Sequence, residues 1–279
     1  MSRLIIGHID ISTQEVASIR LKSDSSVTVQ ISVIAISAAL FAVTKGLTAY
    51  IRTPWGVGQL FIAAFIPAFF AVTADTLPAA IGAGAGSFLG DILFLVPLGA
   101  TTPLFALAVG APANFVAVFL LSSFVKRYKS WSAFVAGTVC FLTLGNIMAG
   151  ALLVYFLPTL AAQAILGFAV YWDMTSIPAI LIGVPILVRA TLPTIGRSKI
   201  LRYTPQWSGV GRREVSVALT FSLLFVALGG ALFFFAPSLL AGWPGLASYF
   251  AVAAVLVVIF GPIASVVAMP RPQAKQSAA

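Results

Sequence analysis

Apolar runs of bilayer-crossing length, separated by short polar breaks, recur along most of this chain. They fall near 28–50, 58–75, 78–96, 103–125, 131–157, 163–190, 215–236 and 246–268. A helix rising 1.5 Å per residue needs about 20 residues to cross the hydrocarbon core. In lipid, backbone groups find hydrogen-bond partners only within their own segment or a closed barrel, so runs of this length predict helices. The pattern therefore predicts an all-α, polytopic helical membrane protein of about eight spans. The fifth and sixth runs are longer than one crossing requires, and Pro158, Pro178 and Pro185 predict bends or a folded loop between them.

Composition supports this reading. Hydrophobic residues make up 60% of the chain and charged residues 8%, whereas soluble domains carry about 25% charged residues. Domain organisation follows from where polarity returns. Residues 1–27 hold Asp10, Glu15 and Asp24 ahead of a first apolar run too long for a secretory signal, and read as a cytoplasmic extension. Within it, Ser12 and Glu15 have capping-box spacing, and a short amphipathic helix through Ile19 and Leu21 fits the pattern. Residues 28–190 form a six-helix membrane domain, and 191–214 a basic, turn-rich cytoplasmic linker with Pro193, Gly196, Pro205, Gly209 and Gly211. Residues 215–268 form a two-helix membrane unit, and 269–279 a disordered tail. No internal repeat stands out.

The net charge of +9 acts through its distribution. Arg3, Arg20, Lys22, Lys126, Arg127, Lys129, Arg189, Arg197, Lys199, Arg202, Arg212, Arg213, Arg271 and Lys275 share one side if the amino terminus is inside. Only Lys45 and Arg52 fall on the other side. This satisfies the positive-inside rule and predicts a multi-pass cell-membrane protein with both termini cytoplasmic. Nucleic acid is not the expected partner of such a charge pattern.

Little enzymatic chemistry is legible. Cys140 is the sole cysteine and His8 the sole histidine, so no disulfide framework, metal site or cofactor is expected. Gly-x-Ser-x-Gly, HExxH and GxxxxGK[ST] sequences are absent, and no catalytic residue is assigned. Intramembrane aspartyl proteases pair two embedded aspartates. Leu89-Gly90-Asp91 and Tyr171-Trp172-Asp173 fit that pattern poorly, because their order is reversed and Trp172 intervenes.

The candidate residues are instead polar groups within apolar spans. Asp91 and Asp173 are site candidates because an embedded charge is costly unless paired or wet. Asn114 and Asn146 add buried amides. From helix rise, Asp91 and Asn146 lie about 20 and 22 Å from the cytoplasmic starts of their helices and Asn114 lies near mid-membrane. Asp173 is expected at or near the outer face. The groups should converge in the outer half, beneath a connection carrying Lys45, Arg52, Trp55 and Gln59. Structural alternatives stand beside this: Asp173 as a helix cap, the asparagines as interhelical glue, and Lys45 or Arg52 neutralising Asp91. Tyr50, Trp55, Tyr171 and Trp172 also suit an interfacial aromatic belt. Gly82, Gly86 and Gly90 recur every fourth residue and predict close helix packing. Ala35 with Ala39, and Ala38 with Ala42, offer small-residue faces for internal packing or for a partner subunit.

The order of features in 30–190 resembles the S component, the substrate-capturing membrane subunit, of energy-coupling factor (ECF) transporters, in its archaeal-type branch. The resemblance rests on AISAALFAV at 35–43 with Ile34 before it, TPWGVGQLFIAAFIPAFFAV at 53–72, AAIGAGAGSFLGDILF at 79–94 and VGAPANF at 109–115. Gly145-Asn146 and WDMTSIP at 172–178 complete it. It implies a six-helix bundle binding a vitamin-like micronutrient from outside through Lys45, Arg52, Trp55, Gln59, Asp91, Asn114, Asn146, Trp172 and Asp173. It also implies partnership with a transmembrane coupling subunit and two ATPase subunits, docked through the alanine faces. Two spans beyond the usual six depart from the family pattern. A stand-alone secondary transporter coupled to protons or cations through Asp91 or Asp173 is the alternative, and a non-transporting membrane scaffold a second one.

Overall fold

The computed structural model describes residues 26–52, 58–157, 164–195 and Tyr203, with side chains omitted for 164–166 and 192–195. The cytoplasmic extension, most of the linker and the two-helix unit predicted at 215–268 lie outside the described residues. Helix α1 is Val27–Leu47, α2 is Phe65–Thr73, α3 is Thr76–Gly90, α4 is Ala111–Tyr128, α5 is Trp131–Phe156 and α6 is Ala164–Ile195. Among the described residues no strand forms beyond a single bridge between Arg52 and Gln59.

Among the described residues, five helical segments are long and apolar enough to cross a membrane: Val27–Leu47, Thr76–Leu95, Pro103–Tyr128, Trp131–Phe156 and Gly167–Thr191. The second expected span is shorter than predicted. Its helical part, the 3-10 turn Ile62–Ala64 followed by α2, is below crossing length, and residues 58–61 run irregularly across the bundle end. A second departure concerns α6, which runs without interruption through Pro178 and Pro185, so neither proline opens a folded loop. Each proline removes one N–H from the helix ladder, and in membrane helices neighbouring groups compensate for that loss.

Local chemistry sets the helix ends. Ser26 Oγ accepts the Val29 N–H at 3.4 Å, and Ser130 Oγ accepts the Ala133 N–H at 3.1 Å, capping α1 and α5. Lys129 closes α4 in the left-handed conformation, at φ 46°. Two helix ends carry π-turns. In Asp91–Leu95, which prolongs α3, the Val96 N–H donates to Asp91 O at 2.8 Å. In Ala106–Gly110, which leads into α4, the Ala111 N–H donates to Ala106 O. Such turns hold an extra residue and are often found at functional sites.

The helices close into a ring in the order α1, α3, α4, α5, α6, α2, with α2 returning to α1. Glycines set the tightest crossing. Gly82, Gly86 and Gly90 face α1, and a Cβ on Gly86 would lie 2.8 Å from Ala38 O. The predicted glycine strip is therefore a packing strip. It divides the four alanines: Ala38 and Ala42 are buried against α3, leaving no surface for a partner, while Ala35 and Ala39 remain exposed. A core of Phe41, Phe69, Phe70, Leu121, Phe134, Ile177 and Leu181 fills the interior. Tyr171 belongs to that core too, so it is not part of an interfacial belt, whereas Tyr50 is exposed.

The two ends of the bundle differ. Lys126, Arg127 and Lys129 end α4 and Arg189 lies near the end of α6, making one end basic. There Lys126 donates to Ala74 O and, at 3.0 Å, to Thr76 Oγ1. Tyr203 also rests there, its N–H donating to Thr73 O at 3.0 Å and its hydroxyl reaching Asp75 Oδ1 at 3.3 Å. At the opposite end, residues 58–61 cross the bundle top.

A candidate ligand cavity

Beneath that crossing lies a cavity of about 680 Å³, its open mouth included. Phe61, Leu95, Phe105, Val109, Ala113, Ala117, Leu142, Ala149, Leu153 and Trp172 give it a mainly apolar wall. Lys45, Gln59, Ser87, Asp91, Thr101, Asn114 and Asn146 supply its polar groups. Largely apolar clefts with a few convergent polar groups are the usual form of small-molecule sites.

Lys45 lies in the last turn of α1 and Asp91 at the start of the π-turn after α3. Their side chains, each 7% exposed, form an ion pair with Nζ 2.5 Å from Oδ1. Lys45 also donates to Ser87 Oγ at 3.1 Å and to Ser87 O at 3.4 Å. Ser87 lies one helical turn before Asp91, which places both on the face of α3 that meets Lys45. Asn114 Nδ2 donates to the same Ser87 Oγ at 3.1 Å and to Gly110 O at 2.8 Å, joining α4 to the network. Gly110 is needed at this point because a Cβ there would lie 2.8 Å from Asp91 Oδ2.

A second network backs the opposite wall. Asn146 Nδ2 donates to Asp173 Oδ1 at 2.7 Å, and Thr143 Oγ1 donates to Asp173 Oδ2 at 2.8 Å. Asp173 is 3% exposed and does not line the cavity. It lies about 14 Å along α6 from the first residue, from helix rise, so it neither caps the helix nor sits at its outer end. Its carboxylate instead holds Asn146, which does line the cavity. Trp172 Nε1 donates to Gln59 O at 3.2 Å, and Phe168 stacks on the indole with ring centroids 5.3 Å apart.

Polar ties fasten the crossing segment down. Gln59 Nε2 donates to Lys45 O at 2.7 Å and to Thr48 Oγ1 at 3.1 Å. The Leu60 N–H donates to Ile51 O at 2.8 Å, the Gly58 N–H to Ala100 O at 2.9 Å, and the Phe61 N–H to Thr175 Oγ1 at 3.2 Å. Arg52 is exposed and bonds Leu98 O rather than entering the cavity. Trp55 lies outside the described residues.

Of the nine expected binding residues, Lys45, Gln59, Asp91, Asn114, Asn146 and Trp172 thus line one cavity, Asp173 stands behind it and Arg52 above it. Ser87, Thr143 and Gly110 were not anticipated. The first two carried a legible signal, being polar residues one turn from Asp91 and Asn146 inside apolar helices.

Replacement of Asp173 tests its supporting role. Asp173→Leu leaves the donors of Thr143 and Asn146 unsatisfied and should cost about 1–3 kcal/mol in a denaturant titration. Asp173→Asn keeps the shape and one acceptor, and should cost less than half as much. Negligible losses in both variants would show that the carboxylate acts only as a space-filler.

Compared with known proteins, the chain matches no family model, no curated protein and no solved structure. Fold and cavity define a class all the same: an all-helical protein with helices fit to cross a membrane and a mainly apolar cavity near one end of its bundle.

Proposed function

We propose that this chain is the substrate-binding membrane subunit of an ECF-type importer, capturing a vitamin or related micronutrient from outside for uptake driven by partner ATPases. The observation that supports this most is the cavity's position. It lies at the end of the bundle opposite the basic residues, where the positive-inside rule puts the external face. Four of its seven polar groups, Ser87, Asp91, Asn114 and Asn146, belong to the motifs at 79–94, 109–115 and 145–146 that resemble the family. Ala35 and Ala39 lie on an exposed face of α1 with Ile31 and Val43, which suits a coupling subunit within the bilayer.

Reconstituted vesicles test the reading. The chain alone should bind its ligand without accumulating it, and should accumulate it on ATP addition once a coupling subunit and two ATPases are present. Ala35→Leu with Ala39→Leu should abolish association with the coupling subunit and leave ligand binding intact. Gradient-driven accumulation by the chain alone would instead establish a secondary transporter. Absence of both binding and association would leave a scaffold.

A further inference from the structure

Donors in the cavity wall are largely consumed within the protein. Lys45 Nζ is taken by Asp91 and both Ser87 oxygens, Asn114 Nδ2 by Ser87 and Gly110, and Gln59 Nε2 by Lys45 O and Thr48. Trp172 Nε1 is taken by Gln59 O, and Asn146 Nδ2 donates to Asp173. The amide orientations follow from chemistry: Gly110 O and Lys45 O accept only and must each face a nitrogen, and the Asp173 carboxyl imposes the same on Asn146 in its ionised form.

Acceptors, by contrast, are left over. Gln59 Oε1 has no partner but is sealed within the protein, so the acceptors open to a ligand lie on Asn114 and Asn146. With their nitrogens engaged, Asn114 and Asn146 present Oδ1 atoms that take no hydrogen bond from the described residues. No surplus positive charge meets a ligand either. Lys45 is matched by Asp91, Arg52 points to Leu98 O, and Asp173 is hydrogen-bonded by Thr143 and Asn146 without a basic partner among the described residues. An anion entering this mainly apolar space would lose its hydration and gain no counter-charge.

Taking the cavity as the capture site just proposed, we infer that it binds a small, non-anionic molecule rich in N–H donors, of the amidine or aminoheterocycle kind. Hydroxyl groups match such a wall less well, because each brings an acceptor with its donor, whereas a protonated amidine donates from both nitrogens and accepts nothing, its positive charge answered by the Asp173 carboxylate behind Asn146. The ring of such a molecule fits beside Trp172 and Phe105, with its nitrogens toward Asn114 and Asn146.

Three probes of one shape test this: benzamidine, benzamide and benzoate, titrated against the full chain in phosphatidylcholine nanodiscs and read by ligand-observed NMR. Benzamidine should bind about tenfold or more tighter than benzoate, with benzamide between them. Asn114→Leu should narrow that gap, and Ala149→Phe, which fills the cavity, should abolish binding of all three. Equal binding, a preference for benzoate, or no binding of benzamidine would overturn the inference, as would an unchanged preference in the folded Ala149→Phe variant. A benzamidine preference without ATP-driven uptake would sink only the importer reading. ATP-driven uptake with a benzoate preference would sink only this inference.

Discussion

Lys45→Met alone will cost about 3–5 kcal/mol of folding stability, and the double variant Lys45→Met with Asp91→Leu will recover most of that loss. A single removal strands a carboxylate among Ser87, Gly110 and Asn114, in a site too apolar to solvate it. Replacing both partners removes the two charges and their desolvation together. Denaturant titration of the four proteins in one bilayer-mimetic gives the interaction energy as a double-mutant cycle. Simple additivity of the two single losses would show that the pair contributes nothing as a pair. Recovery of stability without recovery of ligand binding would separate the pair's structural role from its role in the cavity wall.

Gly86→Leu should be the most damaging apolar substitution in the described bundle, costing about 3 kcal/mol or more because the crowded atoms belong to backbone. An added Cβ meets Ala38 O at 2.8 Å and Ala38 Cα at 2.9 Å, so no side-chain rotation relieves it and α1 must part from α3. Parting them also draws Lys45 away from Ser87 and Asp91, so ligand affinity should fall together with stability. Leu89→Ala, on the exposed side of the same helix, is the matched control and should change stability by less than about 0.5 kcal/mol. A tolerated Gly86→Leu would mean that the α1–α3 contact is looser than the structure makes it.

Long apolar periodicity made α1, α3, α4, α5 and α6 legible from residue types, because membrane helices must be long and apolar whatever their neighbours. The convergence of Asp91, Asn114 and Asn146 was legible for a related reason: antiparallel crossings turn distance along each helix into depth. Three features were not. The shortness of α2 escapes a hydropathy reading because Leu60 and Phe61 join the apolar run although they lie in irregular chain. Unbroken passage through Pro178 and Pro185 depends on neighbouring elements that no single-helix rule contains. Asp173 was expected near the rim, yet α6 begins early enough to carry it into the bundle, where its partners Thr143 and Asn146 belong to α5. The alanine faces show the same limit. Spacing found two pairs on α1, but only the position of α3 decides that Ala38 and Ala42 are covered while Ala35 and Ala39 are not.

The two π-turns give this cavity slack in counting. Each holds one residue more than a regular turn within the same rotation, whereas one residue of regular helix corresponds to about 100°. Removing a single residue from 91–95 would leave an ordinary turn and keep Leu98 O and Ala100 O facing Arg52 and Gly58. The same loss from 106–110 would keep Phe105 in the wall that Asn114 shares. A one-codon deletion in the regular turns of α3 or α4 has no such slack and would turn one part of the lining away from the other.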